Sequence, residues 1–202
     1  MAAVVGYLLG SIPTGMIVAR VYRNVDLTAH GSGRTGATNV LRTLGSGAAA
    51  IAFAGDFLKG LAAVLLVKYV IAGPSPAIAW LELTATLAAV LGHSYSVFIG
   101  FKGGRGVVTA FGATIVAAPV PVLIALVLGA ILIAVTRYVS LGSIVGSASA
   151  GLLLCWLAIT TGEPAWAVWG VLVGGFIVLA HRDNIERLLA GTERKLGERV
   201  SS

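Results

Sequence analysis

The sequence is short of charge. Its 202 residues include 14 Lys and Arg and 8 Asp and Glu, or 11% charged, against roughly 25% in an ordinary soluble domain. Hydrophobic residues make up 57% and mean hydropathy is +0.96. A soluble globule of this length needs polar side chains over its surface, and this chain has too few. That excludes a soluble domain, a disordered chain and a coiled coil, and leaves an integral membrane protein. Cysteine is down to Cys155, so no internal disulfide can form. The 3 histidines are scattered without metal-ligand spacing, so no metal is expected. There is no G-x-S-x-G elbow and no Ser/His/Asp set. No His-x4-Asp pair exists either: His93 is followed at that spacing by Phe98 and His30 by Thr35. His181 is followed there by Glu186, but such residues point about 140° apart on a helix. The chain has no long-period repeat or low-complexity segment. No Lys or Arg precedes its first apolar run, which weighs against a cleaved signal peptide.

Long apolar runs are what the chain has instead. They cover about 1–22, 47–70, 77–99, 107–118, 120–136, 141–160 and 165–181, separated by turn signals such as Gly73-Pro74-Ser75-Pro76 and Gly162-Glu163-Pro164. Six reach spanning length. The run 107–118 is the short one, at only about 18 Å as a helix. The expectation is an all-α polytopic membrane protein of seven transmembrane helices, the fourth short, forming a single domain over 1–202. The basic balance suits nucleic acid or inner-leaflet loops, and charge placement decides for the loops. With seven spans, Arg20, Arg23, Arg34, Arg42, Lys102, Arg105, Arg137, Arg182, Arg187, Arg194, Lys195 and Arg199 share one side and Lys68 has the other. This asymmetry puts the N-terminus outside and the C-terminus in the cytoplasm, and it favours a crossing by 107–118. Glycine is abundant, at 27 residues. Gly6 with Gly10, Gly142 with Gly146, and Gly170 with Gly174 read as close helix packing. The stretch 23–46 reads as the long loop and 182–202 as a charged, helical tail.

Four polar clusters stand out. In the first, Gly31-Ser32-Gly33-Arg34-Thr35-Gly36-Ala37-Thr38-Asn39-Val40-Leu41-Arg42, a glycine-rich backbone leads into a helix. Free N–H groups there suit a phosphate, with Ser32, Thr38, Asn39 and Arg42 adding donors. The G-x-G-x-x-G within it lacks the βαβ context of a dinucleotide site, and an ordinary capped loop is the plain alternative. The second runs from Gly92-His93 to Lys102-Gly103-Gly104-Arg105-Gly106. Its cations alone fit a cytoplasmic loop; with the glycines they make an anion cradle. The third is Asp56 with Lys59, paired at i, i+3 inside a span, either functional or a structural prop. The fourth runs from His181 through Asn184 to Glu193, with His181 and Asn184 on one helix face; the alternative is a helix cap at the interface. Arg137-Tyr138-Val139-Ser140 is a smaller group that alone reads as a membrane anchor. The chain is poor in general bases and rich in phosphate-binding groups, which fits a substrate bringing its own phosphate and leaving group. A transporter of a phosphorylated small molecule is the rival class, although transporters place polar sites near the bilayer midplane. A lipid-binding structural protein leaves the polar and glycine-rich loops unexplained.

These clusters, with Asp56-Phe57-Leu58-Lys59-Gly60, resemble the acyl-phosphate:glycerol-3-phosphate acyltransferases, the PlsY family of bacterial plasma-membrane enzymes. The likeness covers the whole chain. It implies transfer of a fatty acyl group from acyl phosphate to the 1-hydroxyl of glycerol 3-phosphate, giving lysophosphatidic acid and inorganic phosphate, with no cofactor or metal. It also implies the lipid bilayer and the two substrates as partners, no nucleic acid, a monomer, and a site facing the cytoplasm. By position, Ser32 and Arg42 match the essential pair of the first motif. Gly31, Gly33, Thr38, Asn39, His93, Lys102, Gly103, Gly104, Arg105, Gly106 and Ser140 fall in substrate- or phosphate-binding stretches. His181 and Asn184 match the third motif and Glu193 its structural acid, with Asp56 and Lys59 as support. Arg34, Ser96 and Arg105 stand where the family has asparagine, proline and lysine. The base is either the acyl phosphate itself or His181.

Overall fold

The computed structural model describes residues 1–198. Arg199 and the end of the expected 182–202 tail lie outside the described residues. All regular elements among the described residues are helices, in two compact units built on Met1–Val116 and Ala117–Leu196.

In the first unit the leading apolar run forms two helices, α1 (Ala2–Ser11) and α2 (Thr14–Arg23), where one was expected. Pro13 has no amide hydrogen and pushes Ile12 out of helical geometry. The pair still makes a 22-residue apolar stretch. Arg20 and Arg23 sit in the last turn of α2, where they offset the helix dipole. The stretch 23–46 is not simply a loop. It carries a short 3₁₀ turn at Leu27–Ala29 and a helix, α3 (Ala37–Leu44), because Leu27 and Val40 have an apolar core to join, with Met16, Ala19 and Ala52. The next helix, α4 (Ser46–Leu66), loosens into a π-helix over Val67–Ala72. Then come α5 (Ile78–Ser94) and α6 (Val107–Thr114), the latter only 8 residues long.

Small residues set the spacing in this unit. A Cβ on Gly6 or Gly10 would run into the backbone of Ala85 or Ala89, so α1 lies directly on α5. Likewise Gly60 and Gly112 bring α4 and α6 together, against the carbonyls of Thr109 and Phe57. Glycine serves here by omitting a side chain, the packing mode expected between membrane helices.

The second unit holds α7 (Pro119–Thr136), α8 (Val139–Thr161), α9 (Ala165–Trp169), a π-turn over Gly170–Gly174, α10 (Gly175–Ala180) and α11 (Arg182–Leu189). Gly142 and Gly146 of α8 face Gly129 and Ala125 of α7, and Gly170 and Gly174 face Gly151. The chain bends by 56° between α10 and α11. Only 17% of the apolar window of α7 is buried within the protein. Side chains such as Ile124, Val127, Ile131 and Val135 lie exposed there, and lipid is the solvent that suits them.

Among the described residues, length and composition mark 4 stretches able to cross a membrane, Ala2–Arg23, Ser46–Ala72, Pro119–Thr136 and Val139–Thr161, or 5 if the bent α9–α11 pair counts as one. The expected third and fourth spans are shorter as helices than as apolar runs, because 77–99 ends its helix at Ser94 and 107–118 at Thr114.

Candidate active site

The first unit organises two glycine-bearing loops. Gly31 and Gly33 take φ of +61° and +67°, a conformation that costs a non-glycine residue. Between them Ser32 is exposed. Asn39, expected to contact phosphate, is buried and turned inward. Its Oδ1 accepts from the Ser32 amide at 3.1 Å, and its Nδ2 donates to the carbonyls of Leu27, His30 and Arg34 at 3.2, 3.0 and 2.8 Å. Both amide hydrogens are therefore spent on the loop, and Asn39 is its clasp. Thr38 and Arg42 lie four residues apart on α3, both half-buried and on one face.

The second loop is stapled to the end of α5. The Ser96 amide donates to the Lys102 carbonyl at 3.2 Å and the Phe101 amide to the Ser96 carbonyl at 2.7 Å. The Ser96 hydroxyl donates to the Ser11 carbonyl at 2.5 Å. The Gly104 amide donates to the His93 carbonyl at 3.1 Å, so the cradle of free N–H groups expected here does not include Gly104. Gly103 and Gly104 are buried, and both are glycine for want of room: a Cβ on Gly103 would meet the His93 carbonyl, and one on Gly104 the His93 ring. Gly106, at φ +79°, turns the chain into α6. Arg105 is half-buried and engaged. Lys102 stays exposed and lines a cleft of about 350 Å³ with Arg20, Asp26 and Thr28 on its polar side and Met16, Ile17 and Phe98 on its apolar side. Arg20, Asp26 and Thr28 were not singled out from sequence. Arg20 looked like one more cytoplasmic cation, and Asp26 had no motif around it. The Thr28 hydroxyl and then the Thr28 amide hydrogen-bond the Asp26 carboxyl and hold it below its usual range, with Arg20 and Lys102 adding attraction.

Asp56 and Lys59 do pair, at 2.8 Å, and they are joined by His93. Lys59 Nζ lies 2.9 Å from His93 Nδ1 and 2.9 Å from the Ile12 carbonyl, which the break at Pro13 frees from the α1 hydrogen-bond pattern. Thr14, just past the break, donates its hydroxyl to Asp56. The buried pair is thus bound to the kink between α1 and α2.

In the second unit Glu193 is a hub. Its Oε1 accepts from the Ser140 hydroxyl at 2.9 Å and from Asn184 Nδ2 at 2.8 Å, and its Oε2 accepts from Arg187 Nε at 2.8 Å. Burial pushes the Glu193 carboxyl up, but the bonds from Asn184, Arg187 and Ser140 outweigh burial and leave it below its ordinary value. His181 Nδ1 lies 2.8 Å from the Ile177 carbonyl. A carbonyl can only accept, so Nδ1 carries the hydrogen. Asn184 Oδ1 is buried with no hydrogen-bond partner among the described residues, a state that costs roughly 1–3 kcal/mol. The tail is tied down beside this hub: the Leu196 amide donates to the Arg137 carbonyl, and Arg137 Nη2 to the Leu196 carbonyl, each at 2.7 Å.

A family model described as glycerol-3-phosphate acyltransferase matches residues 1–191. The chain belongs to the glycerol-3-phosphate acyltransferase family. A member from Thermoanaerobacter sp. is 42% identical over 200 residues, which cover 99% of this chain and 96% of that one. Among solved structures, PlsY, an integral membrane glycerol 3-phosphate acyltransferase, matches in two forms. Its glycerol 3-phosphate form has a TM-score of 0.85 at 39% identity, and its lysophosphatidic acid form 0.82 at 38%; each match covers 97% of this chain and 94% of the other. Membership of an acyltransferase family removes the reason to read the polar loops as a transporter's.

Proposed function

We propose that the protein transfers a fatty acyl group from acyl phosphate to the 1-hydroxyl of glycerol 3-phosphate, releasing lysophosphatidic acid and inorganic phosphate. In this reading it works as a monomer in a bacterial plasma membrane, with seven crossings, its N-terminus outside and its polar loops toward the cytoplasm. The observation that carries the chemistry is the orphaned Oδ1 of Asn184. It is a buried acceptor held in place by Glu193, and a glycerol hydroxyl is the donor it lacks. Lys102, Arg42 and Ser32 supply positive charge and a hydroxyl for phosphate groups, and Ser140 adds a second hydroxyl near Asn184 through the shared Glu193.

The donor is a mixed anhydride, so the enzyme's tasks are proximity and charge stabilisation. The hydroxyl oxygen attacks the acyl carbon, the bond from that carbon to the phosphate oxygen breaks, and the phosphate leaves with the electron pair. The hydroxyl proton passes to a phosphate oxygen of the donor. His181, whose Nδ1–H bond to Ile177 leaves Nε2 as the basic nitrogen of the neutral ring, is the rival acceptor. Purified protein given acyl phosphate should release phosphate only when glycerol 3-phosphate is present, in step with lysophosphatidic acid. Release that ignores glycerol 3-phosphate would sink this reading. Near-wild-type turnover in His181→Gln would leave the substrate as the base, whereas loss of turnover with intact substrate binding would favour His181.

A further inference from the structure

Helix α7 closes on an uncommon residue. A helix often ends on a residue with positive φ, and glycine is the usual one. Gly162 does this after α8, at φ +71°. After α7 the place is taken by Arg137, at φ +65°, with its amide donating to the Ile133 carbonyl at 2.8 Å. A residue with a Cβ is strained in that conformation. Arginine is the harder choice here, and its side chain explains it.

Backbone and side chain of Arg137 hold the same tail residue. The Arg137 carbonyl accepts from the Leu196 amide, and Arg137 Nη2 donates to the Leu196 carbonyl, each at 2.7 Å. Beside this clip Lys195 Nζ lies over the Tyr138 ring, 5.6 Å from its centroid. Past Leu189 no helix or strand follows among the described residues, so Glu193 sits on irregular chain. Two ties bracket it. One is the Thr192 amide on the Arg187 carbonyl at 2.8 Å, and the other is the clip at Leu196. Without them the carboxylate would have to order its own backbone, at a cost in entropy.

Glu193 in turn decides which end of the Asn184 amide faces away from it. A carboxylate can only accept, so Asn184 turns Nδ2 toward Glu193, at 2.8 Å, and Oδ1 away. An Asn184 released from Glu193 is free to rotate and present its NH2 where an acceptor is needed. We propose that Arg137 is a positioning residue for acyl transfer: it clips Leu196, the clip keeps Glu193 in place, and Glu193 keeps Asn184 Oδ1 presented to the 1-hydroxyl of glycerol 3-phosphate. The last step rests on the acyl-transfer reading above; the clip does not.

The first test needs no turnover. Arg137→Gly removes the side chain of the clip and relaxes the positive φ, so Tm in detergent should hardly change. Hydrogen exchange over Thr192–Leu196, measured in lipid nanodiscs, should quicken by about threefold or more as the strap opens locally. Arg137→Lys, which keeps one donor for the Leu196 carbonyl, should recover most of the protection. Unchanged exchange in Arg137→Gly overturns the proposal whatever becomes of the enzymatic reading. The second test is binding. Wild-type protein should prefer glycerol 3-phosphate over its 1-deoxy analogue by roughly tenfold, about one hydrogen bond. Arg137→Gly should shrink that preference by about threefold or more while holding the 1-deoxy analogue within about twofold of wild type. Equal weakening of both ligands would make Arg137 a source of attractive charge alone and contradict the proposal. So would an unchanged preference in a variant whose strap exchanges faster. A wild type without the preference would refute the Asn184 step and the positioning role with it, while the exchange data still decide the clip.

Discussion

Two histidines, one in each unit, are held by opposite partners. His93 Nδ1 faces an ammonium and must accept; His181 Nδ1 faces a carbonyl and must donate. The neutral rings therefore offer opposite chemistry at Nε2, a hydrogen from His93 and a lone pair from His181. Their surroundings differ in the same way. Asp56, Lys59 and His93 form a charged group sealed inside helices, with every Lys59 hydrogen used. Around Glu193 the carboxylate is just as well bonded, yet Asn184 keeps an oxygen without a partner among the described residues. Residue type alone says little about role here. The partner on the near nitrogen decides what the far nitrogen can do.

The largest effect should come from Lys59→Met alone. It strands a buried carboxylate and should cost about 3–5 kcal/mol, seen as loss of folded protein or a steep fall in Tm in detergent; adding Asp56→Asn should restore most of it. If Lys59→Met were benign, the pair would not be buried as described. Glu193→Gln is next, at about 1.5–3 kcal/mol, because the bonds it weakens are charge-assisted.

It also has a pH signature. The Glu193 carboxyl is lowered from 4.5 in the folded state. The unfolded chain then binds more protons in the window just below 4.5, so this contribution is complete above that value and fades as pH falls through the lower, folded pKa. Tm measured between neutral pH and that window should lose part of its acid dependence in Glu193→Gln. Gly104→Ala should cost about 1–3 kcal/mol by overpacking against the His93 ring, and it should disturb kinetics more than the same change at exposed Gly47, where a Cβ meets nothing within 4 Å. The smallest effect should come from Ser140→Ala, about 1 kcal/mol for one neutral donor to Glu193.

Much of this was legible in the sequence, for definite reasons. The runs 47–70, 120–136 and 141–160 became Ser46–Ala72, Pro119–Thr136 and Val139–Thr161, because a long apolar run has no state other than helix in lipid. The Asp56–Lys59 pair followed from helical spacing. The break at Pro13 did not emerge, since apolar content masked the proline, and neither did α3, whose Leu27 and Val40 find their core only through tertiary contact. His93 lies 34 residues from Lys59, beyond the reach of any local pattern. Asn39 carries the same amide whether it binds a phosphate or clasps its own loop; only the three carbonyls around it decide.

The claim that Asn184 Oδ1 waits for a glycerol hydroxyl is tested most directly by equilibrium binding. Affinities of glycerol 3-phosphate and of its 1-deoxy analogue should be measured on the wild-type protein and on Asn184→Ala. The wild type should prefer glycerol 3-phosphate by roughly tenfold, about one hydrogen bond, and Asn184→Ala should bind the two alike. Equal affinities in the wild type, or a preference that survives Asn184→Ala, would contradict the account.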